Sequence, residues 1–231
     1  MVVNTLKYPR IIFPFLLVGL VAPAFSQEIL TATAFFDTLS ARYGKINDYI
    51  ANITYTAKGE TMKGTLYYRS PDMIRIDFTD PKDQVLSSDG KILRVYLPKY
   101  NVLLQQTLSG RSSGQVANLA TKEGLAIMGK NYSKAYLVGP DPVPLEDGSG
   151  EMVIKLKLDW RNTSQGFRQL NVSIGKDGFI RRIIGVDVGY EQYQIDFASI
   201  KTNQNIPATR FSYDGPATAN IIDDFLFGKQ N

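Results

Sequence analysis

Apolar and polar side chains alternate along residues 48–108, and this period of two predicts a series of β-strands. Each predicted strand has one apolar and one polar face, as is typical of antiparallel sheets that cover a core with one face. Turn residues such as Lys58-Gly59 and Asp89-Gly90 separate the strands. The apolar positions expected on the inward face are Ile53, Tyr55, Leu66, Tyr68, Ile74, Ile76, Phe78, Val95 and Leu97.

Two other segments have apolar residues at helical spacing. Residues 29–46 are expected to form a helix that ends near Gly44, with an apolar stripe of Ala32, Phe36, Leu39 and Tyr43. Residues 113–129 are expected to form a second helix, with one side made of Val116, Leu119, Ala120, Glu123 and Ile127. The pattern thus places one helix before the first strand block and one after it.

A second block of strands follows the second helix. We expect strands at 151–159, 167–175, 179–188 and 191–200, and a last short strand near 209–213. Residues 140–150 are rich in Pro, Gly and Asp and are interpreted as an exposed loop. The order of one helix, about six strands, a second helix and about five strands indicates an α+β fold. No shift in composition divides it, so we expect one domain over residues 27–231.

The first 26 residues have the features of a cleaved export signal. Lys7 and Arg10 precede an apolar run from Ile11 to Ala22, and Ala24-Phe25-Ser26 predicts cleavage before Gln27. The run is shorter than the roughly 20 residues that span a bilayer, although an uncleaved anchor is the alternative. No Cys follows it, so the chain is not itself expected to be a lipoprotein. We expect export to the periplasm.

Composition argues against several classes of function. The chain has no Cys and no His, which removes thiol nucleophiles, the commonest general base and the usual zinc ligands. The chain has 26 basic and 22 acidic residues; the signal holds two basic ones, so the remainder carries a net charge of +2. Such a nearly neutral chain is not expected to bind nucleic acid. We expect no catalytic residues, no metal and no cofactor.

Four stretches of the sequence stand out together: KGTLYYRSP at 63–71 followed by MIRIDF at 73–78, VLSSDGKILRVYLP at 85–98, LNVSIGKDG at 170–178 and ATRFSYDGP at 208–216. In their residues, order and spacing they resemble the outer-membrane lipoprotein carrier protein (LolA) family. The resemblance implies a strongly curved, incompletely closed antiparallel β-sheet, a half-barrel of about 11 strands capped by helices. It also implies a carrier that takes acylated lipoproteins from the inner to the outer membrane.

The resemblance assigns roles to particular residues. The inward-facing residues named above would line a cavity for acyl chains, and the lid helices would cover it with Phe36, Leu39, Leu119 and Ile127. In family members an Arg before the Pro of the first turn latches the lid, but Ser70 stands there in this chain. Arg69, one residue earlier and so on the opposite face, and Arg75 are the candidate latches. Arg94 stands where relatives often have Trp on the cavity wall.

The implied partners are acylated lipoproteins or other lipids, an inner-membrane lipoprotein-releasing transporter and an outer-membrane acceptor, for a protein expected to be a monomer. Three alternatives remain open from the residues. The inward face is also consistent with a filled core, since every sandwich has such faces. An apolar cavity is also consistent with another lipid as the cargo. The same fold also suits a sensor of mislocalised lipoproteins, which the end of the chain soon after the last strand disfavours.

Overall fold

The computed structural model describes Met1 and residues 30–108, 119–161 and 166–226. These residues form one large, curved and unclosed sheet of 13 strands, together with two α-helices. The strands are β1 Asp48–Ala57, β2 Glu60–Arg69, β3 Met73–Asp80, β4 Val85–Ser88, β5 Ile92–Leu97, β6 Val102–Thr107, β7 Tyr132–Tyr136, β8 Val143–Pro144, β9 Met152–Trp160, β10 Phe167–Gly175, β11 Ile180–Asp187, β12 Gln192–Thr202 and β13 Asn220–Asp223. The helices are α1 Ala32–Tyr43 and α2 Lys122–Asn131.

The strands lie in the order β13-β6-β5-β4-β3-β2-β1-β12-β11-β10-β9-β7, and β8 pairs with β9. The two predicted strand blocks therefore meet where β1 pairs with β12. The α+β, open-sheet prediction is confirmed, while the strand number and the uniformly antiparallel pairing are corrected. β7, β8 and β13 were not expected, and β13 runs parallel to β6.

Helix α1 forms where its apolar stripe was predicted. Thr31 caps its N-terminus by accepting a hydrogen bond from the amide of Ala34 at 3.2 Å. The helix buries Phe36, Leu39 and Tyr43 and gives way to a turn at Gly44. Its core-facing side is therefore the one that the sequence indicates.

Helix α2 begins later than predicted. Residues 113–118 lie outside the described part of the chain, and Leu119 and Ala120 form a turn instead of the helix expected there. The hydroxyl of Thr121 accepts a hydrogen bond from the amide of Gly124 at 3.0 Å and so fixes the helix start at Lys122. Leu119 and Ala120 therefore do not belong to the stripe of α2, whose buried residues are Gly124, Leu125 and Met128.

The sheet has two unlike faces. The inner face packs against both helices, and one core cluster joins Leu66 and Ile76 of the sheet to Phe36 of α1 and Leu125 of α2. The opposite, outer face of β2–β6 is crossed by the C-terminal segment, residues 203–226. None of the described helices is long and apolar enough to cross a membrane.

The predicted strand near 209–213 is wrong, because Ala208–Phe211 is a 3-10 helix within the C-terminal segment. The side chain of Phe211 is fully buried, and its carbonyl accepts a 2.6 Å hydrogen bond from the hydroxyl of Ser87 on β4. The segment is anchored through side chains and carbonyls until it joins the sheet as β13. The apolar pattern of Phe211 and Tyr213 reflects packing on the outer face rather than strand pairing.

Candidate functional site

The inner face of the first strand block is mainly apolar, with the polar residues Ser88 and Gln106 in one of its rows. The registers of β1 to β6 place one residue of each strand in a single row: Ala51, Leu66, Ile76, Leu86, Val95 and Leu104. Neighbouring strands lie about 4.8 Å apart, so adjacent side chains in this row are close enough to contact one another. The row continues an apolar surface along the curve of the sheet.

All nine residues predicted to face inward lie on strands β1, β2, β3 or β5, at alternating positions that match this inner face. Six of them are buried: Ile53, Leu66, Tyr68, Ile74, Ile76 and Phe78. Tyr55, Val95 and Leu97 are only partly buried. The structure thus brings the predicted residues onto one surface, and whether acyl chains bind there stays a prediction.

The helices cover this surface unevenly. They pack over β1–β3 and over the second strand block, where the side chains are buried. On β4–β6 the apolar inner residues are only partly buried, whereas the polar inner residues Ser88 and Gln106 are buried; the apolar ones are Leu86, Leu93, Val95, Leu97 and Leu104. An open groove of about 510 Å³ lies at one end of this region, lined in part by Met62, Leu97 and Tyr100. The apolar wall is therefore only partly covered along β4–β6.

Helix α2 is held to the sheet by hydroxyl groups of two tyrosines. The Tyr68 hydroxyl on β2 donates a 2.6 Å hydrogen bond to Oε2 of Glu123, and the Tyr49 hydroxyl on β1 donates to the carbonyl of Ala120 at 3.1 Å. The two rings pack with centroids 5.2 Å apart. Burial raises the pKa of both phenols well above the ordinary value, and Glu123 raises that of Tyr68 further. Both hydroxyls therefore keep their protons at neutral pH.

Helix α1 is attached at its C-terminal end. The amide of Ile180 donates a 3.1 Å hydrogen bond to the hydroxyl of Tyr43, and burial raises the pKa of that phenol to about 12. Beside it lies a narrow gap in the packing, which is too narrow to hold a water molecule. Its lining is apolar and comes from α1, β1, β12 and the start of α2: Tyr43, Ile46, Tyr49, Ala120, Phe179, Phe197 and Ile200.

The two candidate latch arginines lie on the outer face, away from the helices. Arg69 donates to the carbonyl of Ile206 at 2.9 Å, and Arg75 donates to the carbonyls of Arg210 at 3.1 Å and Ser212 at 3.2 Å. Side chains alternate between the two faces along β2 and β3, and the even-numbered residues Leu66, Tyr68, Ile74 and Ile76 face inward. The odd-numbered Arg69 and Arg75 must therefore face outward. In this conformation both guanidinium groups bind the C-terminal segment. The side chain that forms a hydrogen bond with α2 is that of Tyr68.

The four predicted lid residues are not equally placed. Phe36 and Leu39 are buried against the sheet, and Leu119 packs at the edge of the core. The prediction that Ile127 faces the sheet is wrong, because this residue is 50% exposed. With the helix starting at Lys122, Leu125 and Met128 face the sheet, and Ile127 lies on another side of the 3.6-residue turn.

Arg94 does not disturb the inner wall. It lies opposite Ser87 and Gln105 on the outer face, where it donates a 2.9 Å hydrogen bond to the side chain of Gln105. The neighbouring inner position is Val95, so the wall stays apolar at β5. The expectation that Arg94 replaces an aromatic wall residue is therefore not met.

One stretch has the spacing of a hydrolase nucleophile turn. Residues 110–114 are Gly-Arg-Ser-Ser-Gly, which fits the pattern Gly-x-Ser-x-Gly. It lies outside the described residues, and the chain contains no His to serve as the usual base for such a serine. This short pattern alone does not identify a catalytic site.

Several solved structures resemble this fold. An uncharacterised conserved protein from Thermus thermophilus superposes with a TM-score of 0.51 at 15% identity, over 81% of this chain and 96% of that one. The protein MucB superposes with a TM-score of 0.51 at 12% identity, over 83% of this chain and 65% of that one. At such low identity these likenesses concern the fold alone.

Sequence relatives identify the family. An outer-membrane lipoprotein carrier protein of Methylibium petroleiphilum is 24% identical over 80% of this chain and 88% of its own length. Another, from Photorhabdus laumondii, is 23% identical over 90% of this chain and 97% of its own length. The sequence model described as outer membrane lipoprotein carrier protein LolA matches residues 53–214. The chain therefore belongs to the outer-membrane lipoprotein carrier protein LolA family.

Proposed function

We propose that this protein carries acylated lipoproteins through the periplasm, with the acyl chains held against the inner face beneath α1 and α2. The observation that carries the proposal is the apolar wall of β4–β6, which continues the core surface but is only partly covered. The LolA family is a family of carriers rather than enzymes, which supports the same reading. Residues 1–26 would act as the export signal.

The energetics of acyl chains explain why a carrier is needed. Each methylene taken out of water contributes about 0.8 kcal/mol, so an anchor with several long chains represents tens of kcal/mol. The inner face offers aliphatic and aromatic side chains whose attraction to methylenes is non-directional. Cargo bound there would replace contacts that Leu125 and Met128 of α2 now make with the sheet.

The proposal includes a movement of α2 away from the sheet. Its polar contacts with the sheet include those of Tyr49 and Tyr68, while the exposed Ile127 contributes little to its packing. We propose that α2 lifts at these contacts and exposes the wall between β1 and β6. Loading at an inner-membrane transporter and release to an outer-membrane acceptor would then use the same opening.

The test compares two substitutions on one strand. Val95 and Ile92 are both apolar, partly buried residues of β5, but Val95 lies on the inner face and Ile92 on the outer. The processed protein and its Val95→Glu and Ile92→Glu variants are purified from the periplasm, and co-purified acyl groups are quantified by mass spectrometry. We expect at least a five-fold loss of acyl groups for Val95→Glu and retention for Ile92→Glu.

The identity of the recovered molecules separates the alternatives. Recovery of acylated protein fragments supports the hypothesis of a lipoprotein carrier. Recovery of phospholipid or another lipid alone would instead indicate a carrier of that lipid. A protein that contains no acyl groups, with equal behaviour of the two variants, would mean that the inner face is a filled core. Circular dichroism of both variants checks that each remains folded.

A further inference from the structure

Two hydrogen-bond donors lie side by side in a row of the inner face that also contains polar side chains. Tyr49 on β1 and Tyr68 on β2 pair across the strands, both are buried, and both hydroxyls donate to the region where α2 begins. The same row continues through Ile74 to Ser88 and Gln106, so polar side chains gather here on the inner face of the first strand block. We call Tyr49 and Tyr68 the donor pair.

Both acceptors of the donor pair come from α2 and from the turn before it. Glu123 offers a carboxylate oxygen to Tyr68, and Ala120 offers its carbonyl to Tyr49. If α2 lifts from the sheet, as proposed above, both acceptors leave with it. Methylene groups alone do not replace them, because a buried hydroxyl without an acceptor is unfavourable.

We propose that the donor pair binds the carbonyl oxygens through which the acyl chains of the cargo are joined to its head group. This inference rests on the proposed carrier function and adds the place and the orientation of the cargo. A carbonyl oxygen is a hydrogen-bond acceptor, as are the Ala120 carbonyl and the Glu123 carboxylate that occupy the donor pair in the closed protein. Cargo with such carbonyls therefore replaces both hydrogen bonds that α2 gives up.

The rows beside the donor pair give the cargo a direction. Toward one end of the strands the next row contains Leu66 and Ile76, and the row after it contains Phe78 and Leu97. That second row is roughly 13 Å from the donor pair and borders the open groove. Toward the other end, β2 and β3 are joined by the polar turn at 70–72. The acyl chains would therefore extend toward the groove and the head group toward this turn.

Two probes that differ only in these carbonyls test the donor pair. One is a synthetic diacylated lipopeptide with ester-linked chains, and the other is its ether-linked analogue with chains of the same length. Binding of each to the processed protein is measured by isothermal titration calorimetry, at concentrations at which the probes are monomeric. We expect the ester probe to bind at least about ten-fold more tightly, because two hydrogen bonds together contribute about that factor.

A double variant then assigns this preference to the donor pair. Tyr49→Phe combined with Tyr68→Phe keeps both rings and removes both donors. The ratio of the two dissociation constants should fall to within about two-fold. The ether probe should bind at least as tightly as to the wild type, because α2 has lost two attachments. The matched control is Tyr55→Phe, the same change on the inner face of β1, which should leave the ratio as in the wild type.

The outcomes separate this inference from the carrier function. If both probes bind, three results would each overturn the donor pair and leave the carrier function standing: a wild-type ratio near one, a ratio that the double variant leaves unchanged, or an equal fall of the ratio in Tyr55→Phe. Binding of neither probe would reject the carrier function and this inference with it. The wild-type ratio needs no variant, so the test does not depend on the folding of the double variant.

Discussion

The hydroxyl of Tyr68 on β2 donates a 2.6 Å hydrogen bond to Oε2 of Glu123 on α2. It connects the sheet to the first turn of the helix across an interface that is mainly apolar. Burial, reinforced by Glu123, raises the pKa of Tyr68, so the phenol remains a donor at every physiological pH. This bond makes Tyr68 the residue through which attachment of α2 can be tested.

Replacing Tyr68 by Phe should loosen α2. The variant keeps the ring but loses a hydrogen bond to a charged acceptor, and the partly exposed Glu123 would regain water. We expect a cost of about 1–2 kcal/mol, which corresponds to amide hydrogen exchange in α2 faster by roughly 5- to 30-fold. The amide hydrogen exchange rates of residues 122–131 measure this loss of stability.

The control for this change is Tyr43→Phe, which removes the hydroxyl that accepts from Ile180 at the end of α1. It should leave exchange in α2 unchanged and speed exchange at Ile180. Equal acceleration of α2 in both variants would mean that the helices open only by global unfolding, and the attachment assigned to Tyr68 would then be incorrect.

Replacing Arg69 or Arg75 by Met should release the C-terminal segment and not α2. Both arginines donate to carbonyls between Ile206 and Ser212, and Arg75 also binds Asp77 at 2.7 Å. We expect increased proteolysis within residues 203–212 and unchanged hydrogen exchange in α2. Faster exchange in α2 in these variants would instead support the latch role that the family resemblance assigns to them.

Gly64→Ala should destabilise the sheet. A Cβ at Gly64 would lie 2.6 Å from the carbonyl oxygen of Asp77 on β3, so the backbone of one strand must shift. We expect a loss of about 1–3 kcal/mol in the free energy of unfolding, measured by urea denaturation. Gly150→Ala is the matched control, since nothing lies within 4 Å of a Cβ there, and it should change stability by less than about 0.5 kcal/mol.

The alkaline stability of the fold should depend on Tyr43. Burial raises its pKa from 10.0 to about 12 in the folded protein. Between these values the unfolded chain has lost a proton that the folded protein keeps, so this contribution is complete below pH 10 and declines as the pH rises. By pH 11 the loss is about 1.4 kcal/mol.

Urea denaturation of wild type and Tyr43→Phe at pH 8 and pH 11 measures this contribution. Between pH 8 and pH 11 the free energy of unfolding of the wild type should fall by about 1.4 kcal/mol more than that of the variant. A difference that is independent of pH would contradict the assigned pKa.

Much of the inner face follows from local sequence. The alternation of Leu66 with Tyr68 and of Ile74 with Ile76 fixes one face of each strand, and short turns such as Asp89-Gly90 fix which strands pair. The stripe of α1 needed no tertiary information either. These features depend on residues that are close in the chain.

The features that the sequence did not predict depend on contacts between residues that are far apart in the chain. β13 pairs with β6 although Asn220 and Val102 are more than 100 positions apart, and no local pattern indicates that partner. Phe211 resembles a strand residue until its burial beside Ser87 is known. Ile127 was misplaced because the predicted stripe ran through Leu119 and Ala120, which lie in a turn before the helix that begins after the cap at Thr121.

The most direct test of the carrier proposal is site-specific photo-crosslinking in the living cell. A photoreactive residue is placed at position 95 or at position 92 of β5, on the inner and outer faces respectively. The account predicts adducts with acylated lipoproteins at position 95 and few or none at position 92. Absence of acylated adducts at position 95, or equal yields at both positions, would contradict it.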